Sequence, residues 1–214
     1  MKLNLDINTV ERGMLGSLLY GVVQTGKQSP KLKALAKERG LSGAKYDDVS
    51  NMGETGAISI QDAYLLYWMV KTFKPKKILE IGTWFGTSAA VMREGCQDTE
   101  VFTCDKNNVF VCEKMDRIHY HNMGSTPFLK KMRADGHKFD MVFMDGRFYP
   151  KDERRVLKLM RRPIYATHDY EEGQKGWRNI HALRPIFPEH RMFVNGIIAS
   201  LIGADEMERV NEQA

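Results

Sequence analysis

The residues best suited to chemistry lie in one glycine-containing segment, Ile78–Ser88, which reads ILEIGTWFGTS. Its apolar beginning leads into Gly82 and Gly86, a pattern that favours a buried strand turning into a helix. Such a turn directs backbone N–H groups and the positive end of the helix at a ligand. The two glycines are four positions apart. This spacing differs from GxGxxG, which is expected where a backbone holds a pyrophosphate.

Two carboxylates indicate which ligand the turn would bind. Glu80 stands in the strand before the turn, where it would repel phosphates but attract an ammonium group. Asp105 follows Gly86 by nineteen positions and ends the next apolar run, where a carboxylate can accept two ribose hydroxyls. Taken singly, the glycines could simply make a tight turn and Asp105 could cap a strand. Together they match S-adenosylmethionine (SAM), which has an amino-acid end, a ribose and an adenine but no phosphate.

The elements around these residues alternate between strand and helix. We expect strands at 77–81, 101–104, 117–121, 139–144 and 163–167, and helices at 58–73, 87–95, 108–115, 126–134, 151–162 and 177–183. Continuous apolar strands separated by helices favour a parallel sheet covered on both faces. Apolar runs at 191–194 and 197–201 flank Asn195-Gly196, a strong hairpin signal. The sequence therefore predicts an α/β fold whose sheet ends in an antiparallel pair.

The first 56 residues differ from this strand–helix body. Helical patterns at 8–24 and 29–39 precede a polar, glycine-containing stretch at 40–56. In an open α/β sheet, ligands lie beyond the carboxyl ends of the strands, and another segment must cover that face. We therefore predict that residues 1–56 form a helical lid over the acceptor pocket and that residues 57–214 form the SAM-binding domain.

Composition indicates an ordinary globular chain. Of its 214 residues, 43% are apolar and 28% are charged, which suffices for one α/β domain. We expect no membrane segment because no apolar stretch approaches the roughly 20 residues that span a bilayer. The three cysteines are an odd number without a CxxC motif, so we expect reduced thiols and a cytoplasmic location.

The net charge of +5 is partly concentrated between residues 151 and 162. Six lysines and arginines recur there at steps of three and four, so they would share one face of a helix. A nucleic-acid surface usually interleaves aromatic residues for base stacking, and none occur among these basic positions. We therefore prefer a solvated outer face to a nucleic-acid patch.

The segment EIGTWFGTS and the strand Phe102–Asp105 resemble the class I SAM-dependent methyltransferases. The resemblance covers roughly residues 55–202 and implies their Rossmann-like fold, with a mostly parallel seven-stranded sheet and a C-terminal antiparallel hairpin. It places Gly124-Ser125 where the family contacts the adenine, although such a turn is also a routine helix cap. By this likeness, the SAM site is lined by Glu80, Gly82, Thr83, Gly86, Thr87, Ser88, Asp105, Ser125 and Asp145.

Within the class, the layout looks most like small-molecule O-methyltransferases of the catechol, caffeoyl-CoA and macrocin types. The matching positions are Asp145-Gly146 and the cluster Thr167–Tyr170. In those enzymes two such carboxylates help to hold a divalent cation that lowers the pKa of an acceptor hydroxyl. The resemblance thus implies Asp145 and Asp169 as ligands of Mg²⁺ or another divalent cation. It implies catalytic roles for Asp145, Asp169 and His168, the last as a third ligand or a base.

The sequence also departs from that family pattern. Arg147-Phe148-Tyr149 follows Asp145 where a second acid or a basic residue is usual, and Asp169 is flanked by His168 and Tyr170. Metal dependence therefore stays open. Arg147 could replace the charge of the metal or bind an acceptor carboxylate or phosphate. A purely structural alternative makes the two aspartates strand caps and His168 a core histidine.

Several functions remain open at this point. The preferred one is methyl transfer from SAM to a small-molecule acceptor, at a hydroxyl oxygen. A nucleic-acid methyltransferase is the alternative, although the segment Arg162–Tyr165 does not match the signature of adenine- or cytosine-modifying enzymes. A SAM-binding protein without transfer activity is the third. A SAM-cleaving or aminopropyl-transferring enzyme on this fold is the fourth. The acceptor and the oligomeric state, including a homo-oligomer, cannot be derived from the sequence.

Overall fold

Continuous apolar runs build the centre of a sheet in the described part of the chain. The computed structural model describes residues 9–38, 58–149, 151–162, 164–183, 191–195, 198–203 and 205–206. The strands are β1 (Lys77–Ile81), β2 (Glu100–Asp105), β3 (Ile118–Asn122), β4 (Met141–Met144), β5 (Ile164–Thr167), β6 (Arg191–Asn195) and β7 (Ile198–Ile202). These described strands form one seven-stranded sheet in the order β3-β2-β1-β4-β5-β7-β6.

Strands β1 to β5 are parallel, whereas β7 runs antiparallel to both β5 and β6. The expectation of a mostly parallel sheet with a C-terminal antiparallel pair is therefore confirmed. The chain passes from β1 to β2 and β3 on one side, and then returns to place β4 and β5 on the other. Ligands in open α/β sheets bind at such a switch point, beyond the carboxyl ends of the strands. Here the switch lies between β1 and β4.

Helices cover both faces of the sheet. They are α1 (Thr9–Gln28), α2 (Pro30–Glu38), α3 (Ile60–Phe73), α4 (Thr87–Gly95), α5 (Ser125–Ala134), α6 (Asp152–Leu159) and α7 (Lys175–Leu183). Successive residues of a strand point to opposite faces. Accordingly, Ile78 packs in the cluster that contains α3 and α4, whereas Leu79 packs with residues of α5, α6 and α7. No helix among the described residues combines the length and apolarity that a membrane span requires.

Helix α1 contributes to the first of these clusters. Leu15 and Leu19 are fully buried with residues of α3 and α4. At the start of α2, Lys31 donates a hydrogen bond to the carbonyl of Phe110 at 3.1 Å and pairs with Glu113. The expected polar stretch at 40–56 lies outside the described residues, so the domain boundary at residue 56 and the lid stay predictions.

The expectation of a helix at 108–115 is wrong. Asn108 adopts a left-handed conformation with φ of 49°, and the residues after it run as an irregular segment. Val111 donates a backbone hydrogen bond to the carbonyl of Phe85 at 3.1 Å, and Phe110 is buried in the same cluster as Phe85. Packing of this segment across the turn after β1 replaces the local hydrogen bonds of a helix.

Several basic side chains between residues 151 and 162 are held by carboxylates of the same chain. Arg155 pairs with Asp152 at 2.8 Å and Arg161 pairs with Asp140 at 2.7 Å. Arg162 pairs with the buried Glu206. Because these charges are already matched, the region is a weaker electrostatic match for a polyanion than the sequence alone indicates.

Candidate active site at the carboxyl ends of the strands

The ends of β1 and β4 meet through a glycine. Gly82 has a φ of +85°, and a Cβ on it would lie 3.0 Å from the Gly146 nitrogen and 3.1 Å from the Asp145 carbonyl carbon. Such a distance is tighter than ordinary packing allows, and the positive φ is itself strained for other residues. Gly82 therefore lets the turn after β1 pack directly against Asp145.

Glu80 places a fully buried carboxylate beside this turn. Thr103 donates a hydrogen bond to Glu80 Oε2 at 2.5 Å, whereas Oε1 has no hydrogen-bond partner among the described residues. Burial raises the pKa of Glu80 to about 7, although the hydroxyls of Ser88, Thr103 and Thr83 oppose the rise. A buried polar atom is normally paired, so Oε1 is suited to a donor brought by a ligand, such as an ammonium group.

Asp105 is tied to the same turn. Its Oδ2 accepts a hydrogen bond from the Trp84 backbone nitrogen at 3.1 Å, and its Oδ1 accepts two from Asn107, one from the backbone nitrogen at 2.8 Å and one from the side-chain Nδ2 at 2.9 Å. Two carboxylate oxygens offer about four lone-pair positions, and Asp105 is only partly buried. Its Oδ2 therefore retains capacity for a ligand hydroxyl while the orientation of the carboxylate is fixed.

The other residues predicted for the SAM site lie around the same region. Thr83 is buried in the turn, Gly86 is the N-cap of α4, and Thr87 and Ser88 begin that helix. Ser125, the first residue of α5, donates its hydroxyl to the buried carboxylate of Asp152 at 2.9 Å. The Ser125 side chain thus binds another part of the chain, which leaves its backbone for a ligand contact.

The predicted carboxylates at the ends of β4 and β5 meet around His168. The Nδ1 atom of His168 lies 3.3 Å from Asp145 Oδ1 and 3.0 Å from Asp169 Oδ1. On the other side of the ring, Nε2 lies 3.3 Å from the buried Asp62 of α3. Burial disfavours a charged ring, but the three carboxylates outweigh it and raise the pKa of His168 to about 11. His168 is therefore an imidazolium at neutral pH.

Asp169 is correspondingly held as a carboxylate. His168 is the main cause that lowers the pKa of Asp169 to about 2, and Lys175 adds to the effect against partial burial. Asp169 has a φ of 57°, a left-handed conformation that aspartate tolerates better than most residues. This turn directs the carboxylate back toward the end of β4 instead of continuing the strand.

Lys175 completes the cluster, and the sequence analysis missed it. Its Nζ lies 2.6 Å from Asp145 Oδ1 and 3.0 Å from Asp169 Oδ2. Burial tends to lower the pKa of Lys175, but the two carboxylates raise it overall, so the ammonium is charged. Lys175 is the first residue of α7. The available signal was Gly176, which marks a close approach of the helix to another part of the chain.

A divalent cation fits this arrangement poorly. Asp145, His168 and Asp169 each offer one ligand atom, and these atoms lie within 4.8 Å of one another. However, the Lys175 ammonium already contacts both carboxylates. A metal ion on the same oxygens would lie beside that ammonium, and like charges at such distances repel. The residues as they stand therefore match a protein cation between the two carboxylates.

Arg147 does not supply that cation. Within the described part of the chain it forms no ion pair, although it follows Asp145 by only two residues. The hypothesis that Arg147 replaces a metal charge therefore finds no contact to support it. Its suggested contact with an acceptor carboxylate or phosphate stays a prediction.

Comparison with known proteins links these features to one family. The sequence model described as O-methyltransferase matches residues 35–170. A curated relative, the uncharacterized protein y4gI of Sinorhizobium fredii, is 24% identical over 148 residues. That match covers 55% of this chain but only 16% of the relative, so the chain spans a small part of that protein's length.

Solved structures resemble the fold. An O-methyltransferase from Bacillus cereus in complex with SAH superposes with a TM-score of 0.55 at 16% identity, covering 82% of this chain and 91% of that one. A putative caffeoyl-CoA O-methyltransferase from Staphylococcus aureus superposes with a TM-score of 0.52 at 15% identity, covering 91% and 100%. At these identities the likeness shows a shared fold.

Proposed function

Because the chain belongs to the O-methyltransferase family, we propose that it transfers a methyl group from SAM to a hydroxyl oxygen of a small molecule. Membership of the family confirms the resemblance on which the sequence interpretation rests. The observation that carries the proposal is the unpaired Oε1 of the buried Glu80 in β1, next to a turn in which the Trp84 backbone nitrogen is hydrogen-bonded to Asp105. This arrangement offers a site for an ammonium group next to a site for ribose hydroxyls.

In this proposal, the methyl donor SAM binds at the carboxyl end of β1, on one side of the switch point. Glu80 binds the ammonium group of SAM, and Asp105 accepts hydrogen bonds from the ribose hydroxyls. The backbone of the turn and of α4 lies against the rest of the SAM molecule. The buried, partly unsatisfied polar atoms of Glu80 and Thr83 fit a polar ligand. When bound, SAM supplies a methyl group on a positively charged sulfur, and transfer forms an oxygen–carbon bond as the sulfur–carbon bond breaks.

The β4 and β5 ends then receive the acceptor. Asp145 adjoins the donor turn through Gly82, so an acceptor beside the charged cluster is next to the donor. Holding two reactants in line supplies much of the rate of such a displacement. The acceptor hydroxyl must lose its proton. His168 is already protonated and the pKa of Asp169 is about 2, so we assign the proton to solvent and assign a positively charged side chain of the cluster to stabilising the resulting oxyanion.

The finer sequence predictions belong to this proposal and need their own tests. Lys31 of α2 contacts Phe110, which packs in one cluster with Phe85 of the turn after β1, and this contact supports a covering role for residues 1–56. The divalent cation stays a prediction, and the position of Lys175 argues against it. A homo-oligomer and a cytoplasmic location also stay predictions. Pairing of the basic residues with carboxylates supports a small acceptor over nucleic acid.

Titration calorimetry with S-adenosylhomocysteine (SAH), followed by a transfer assay on small phenols and catechols, tests the proposal. We expect micromolar binding of SAH and methylation of at least one hydroxyl compound, detected by mass spectrometry. Failure to bind SAH, or preferential binding of NAD, would contradict the donor site. SAH binding without transfer to any small hydroxyl compound would instead favour the alternatives of a nucleic-acid acceptor or a SAM-binding protein.

A further inference from the structure

We infer that the Lys175 ammonium takes the place of a divalent cation between Asp145 and Asp169 and itself binds the acceptor oxygen. The inference rests on the proposed function, because it assigns the group that stabilises the acceptor oxyanion. It differs from the cation-dependent mechanism implied by the resemblance to small-molecule O-methyltransferases. Transfer would then proceed without a metal ion.

The contacts of Lys175 are those of a bridging cation. Its Nζ lies 2.6 Å from one oxygen of Asp145 and 3.0 Å from one oxygen of Asp169, and these two residues come from neighbouring parallel strands. Two carboxylates brought together at adjacent strand ends repel each other unless a positive charge lies between them. Lys175 supplies that charge from a third element, the start of α7.

The fold fixes this ammonium in place. The buried Asn179, one turn after Lys175, donates a hydrogen bond to the Gly146 carbonyl at 2.8 Å and accepts one from the Phe148 nitrogen at 3.3 Å. Helix α7 is therefore bound to the segment that follows Asp145. A lysine at the first position of a helix fixed in this way has far less freedom than a lysine on a surface loop.

Charge and exposure identify Lys175 as the cation that faces the acceptor. Lys175 contacts both of the carboxylates that a divalent cation would use, so a metal ion on these oxygens would lie directly beside its ammonium. The side chain of Lys175 is 26% exposed, whereas that of His168 is 10% exposed. His168 is enclosed by carboxylates on both sides of its ring, so Lys175 is the positive group that a bound molecule can reach.

Binding of Mn²⁺ gives a readout that does not depend on turnover. In electron paramagnetic resonance titrations, we expect the wild-type protein to leave Mn²⁺ free and Lys175→Met to bind one ion per chain. Adding Asp145→Asn to Lys175→Met should abolish that binding, because one of the two carboxylates is lost. Lys158→Met, which removes a lysine on α6, should behave like the wild type, and circular dichroism would verify that every variant is folded.

Measurements of methyl transfer form the second part of the test. We expect EDTA to leave turnover unaffected. Lys175→Met should lower kcat at least about 100-fold, and Lys175→Arg should retain part of the wild-type kcat. The affinity for SAH should be the same in all of these proteins. Wild-type protein that binds Mn²⁺ at the cluster, or that needs Mg²⁺ for turnover, would overturn the inference. So would Lys175→Met that binds no Mn²⁺. Failure of the wild-type protein to bind SAH would instead contradict the proposed function. The comparison of Mn²⁺ binding between the wild type and Lys175→Met would still test the inference.

Discussion

Gly176 lies directly against the main chain of His168. A Cβ at position 176 would overlap the His168 carbonyl oxygen and lie 2.7 Å from that of Asp169. Gly176→Ala should therefore push the start of α7 away from β5 and carry Lys175 out of the cluster. We expect a loss of about 1–3 kcal/mol in the free energy of unfolding, together with loss of transfer activity. Urea denaturation and the transfer assay measure the two effects.

Gly21→Ala in α1 is the matched control for that variant. Nothing lies within 4 Å of a Cβ at Gly21, and alanine is favoured over glycine inside a helix by about 0.5–1 kcal/mol. We expect this control to be as stable as the wild type or more so, with unchanged activity. A Gly176→Ala protein with wild-type stability and turnover would contradict the role of the close approach.

Glu80 should make donor binding depend on pH. Its pKa of about 7 in the free protein means that a ligand ammonium, which needs the ionised carboxylate, binds more weakly as pH falls below 7. The affinity for SAH should drop by up to about tenfold per pH unit. Glu80→Gln should bind SAH weakly at pH 8 and show little further change on acidification. Calorimetry between pH 5.5 and 8 decides this, with Glu153→Gln expected to keep the wild-type profile.

The contributions of Asp105 and Glu80 to ligand binding should be distinguishable by comparing two ligands. Methylthioadenosine has the ribose of SAH but no amino-acid end, so its affinity should be insensitive to Glu80→Gln. Asp105→Asn should weaken both ligands about tenfold or more, since a hydrogen bond to a charged group contributes about 1.5–3 kcal/mol. Asparagine retains one acceptor oxygen for the turn. Equal effects of both substitutions on methylthioadenosine would show that the ribose and ammonium sites are assigned wrongly.

Most strands and helices could be predicted from the sequence because short runs of neighbouring residues determine them. The strand Lys77–Ile81 has the same bounds in the structure as in the prediction, since an apolar run between Pro75 and Gly82 allows little else. The helix at 108–115 was wrong for the opposite reason. Phe110 and Val111 are held by contacts with Phe85, which precedes them by more than twenty residues, and no local pattern records that distant contact.

The candidate site likewise contains residues that local sequence patterns predict and residues that they do not. Asp145 and Asp169 end strands, so their convergence follows once β4 and β5 are recognised as neighbours. Lys175 belongs to a helix whose start is fixed by Gly176 and Asn179, and its direction toward the carboxylates depends on that packing. Asp62 reaches His168 from α3, which is over a hundred residues away in sequence. Both contacts are tertiary and could not be found from spacing.

His168 should also couple stability to pH. Its pKa is about 11 in the folded protein and about 6.5 in an unfolded chain, so the folded state binds this proton more tightly. The resulting stabilisation is fully present below pH 6.5 and is lost as pH rises toward 11. Between pH 6.5 and 9, this group should lower the free energy of unfolding by up to about 1.4 kcal/mol per pH unit. Urea denaturation across that range measures the slope.

The matched comparison for this effect is His168→Asn against His137→Asn. The asparagine at position 168 cannot carry the proton, so this variant should be less stable at pH 6.5 and should lack most of the wild-type decline up to pH 9. Burial lowers the pKa of His137, which leaves it neutral above pH 6.5, so His137→Asn should retain the decline. If His168→Asn keeps the full wild-type slope, the imidazolium is not the group that couples proton binding to folding.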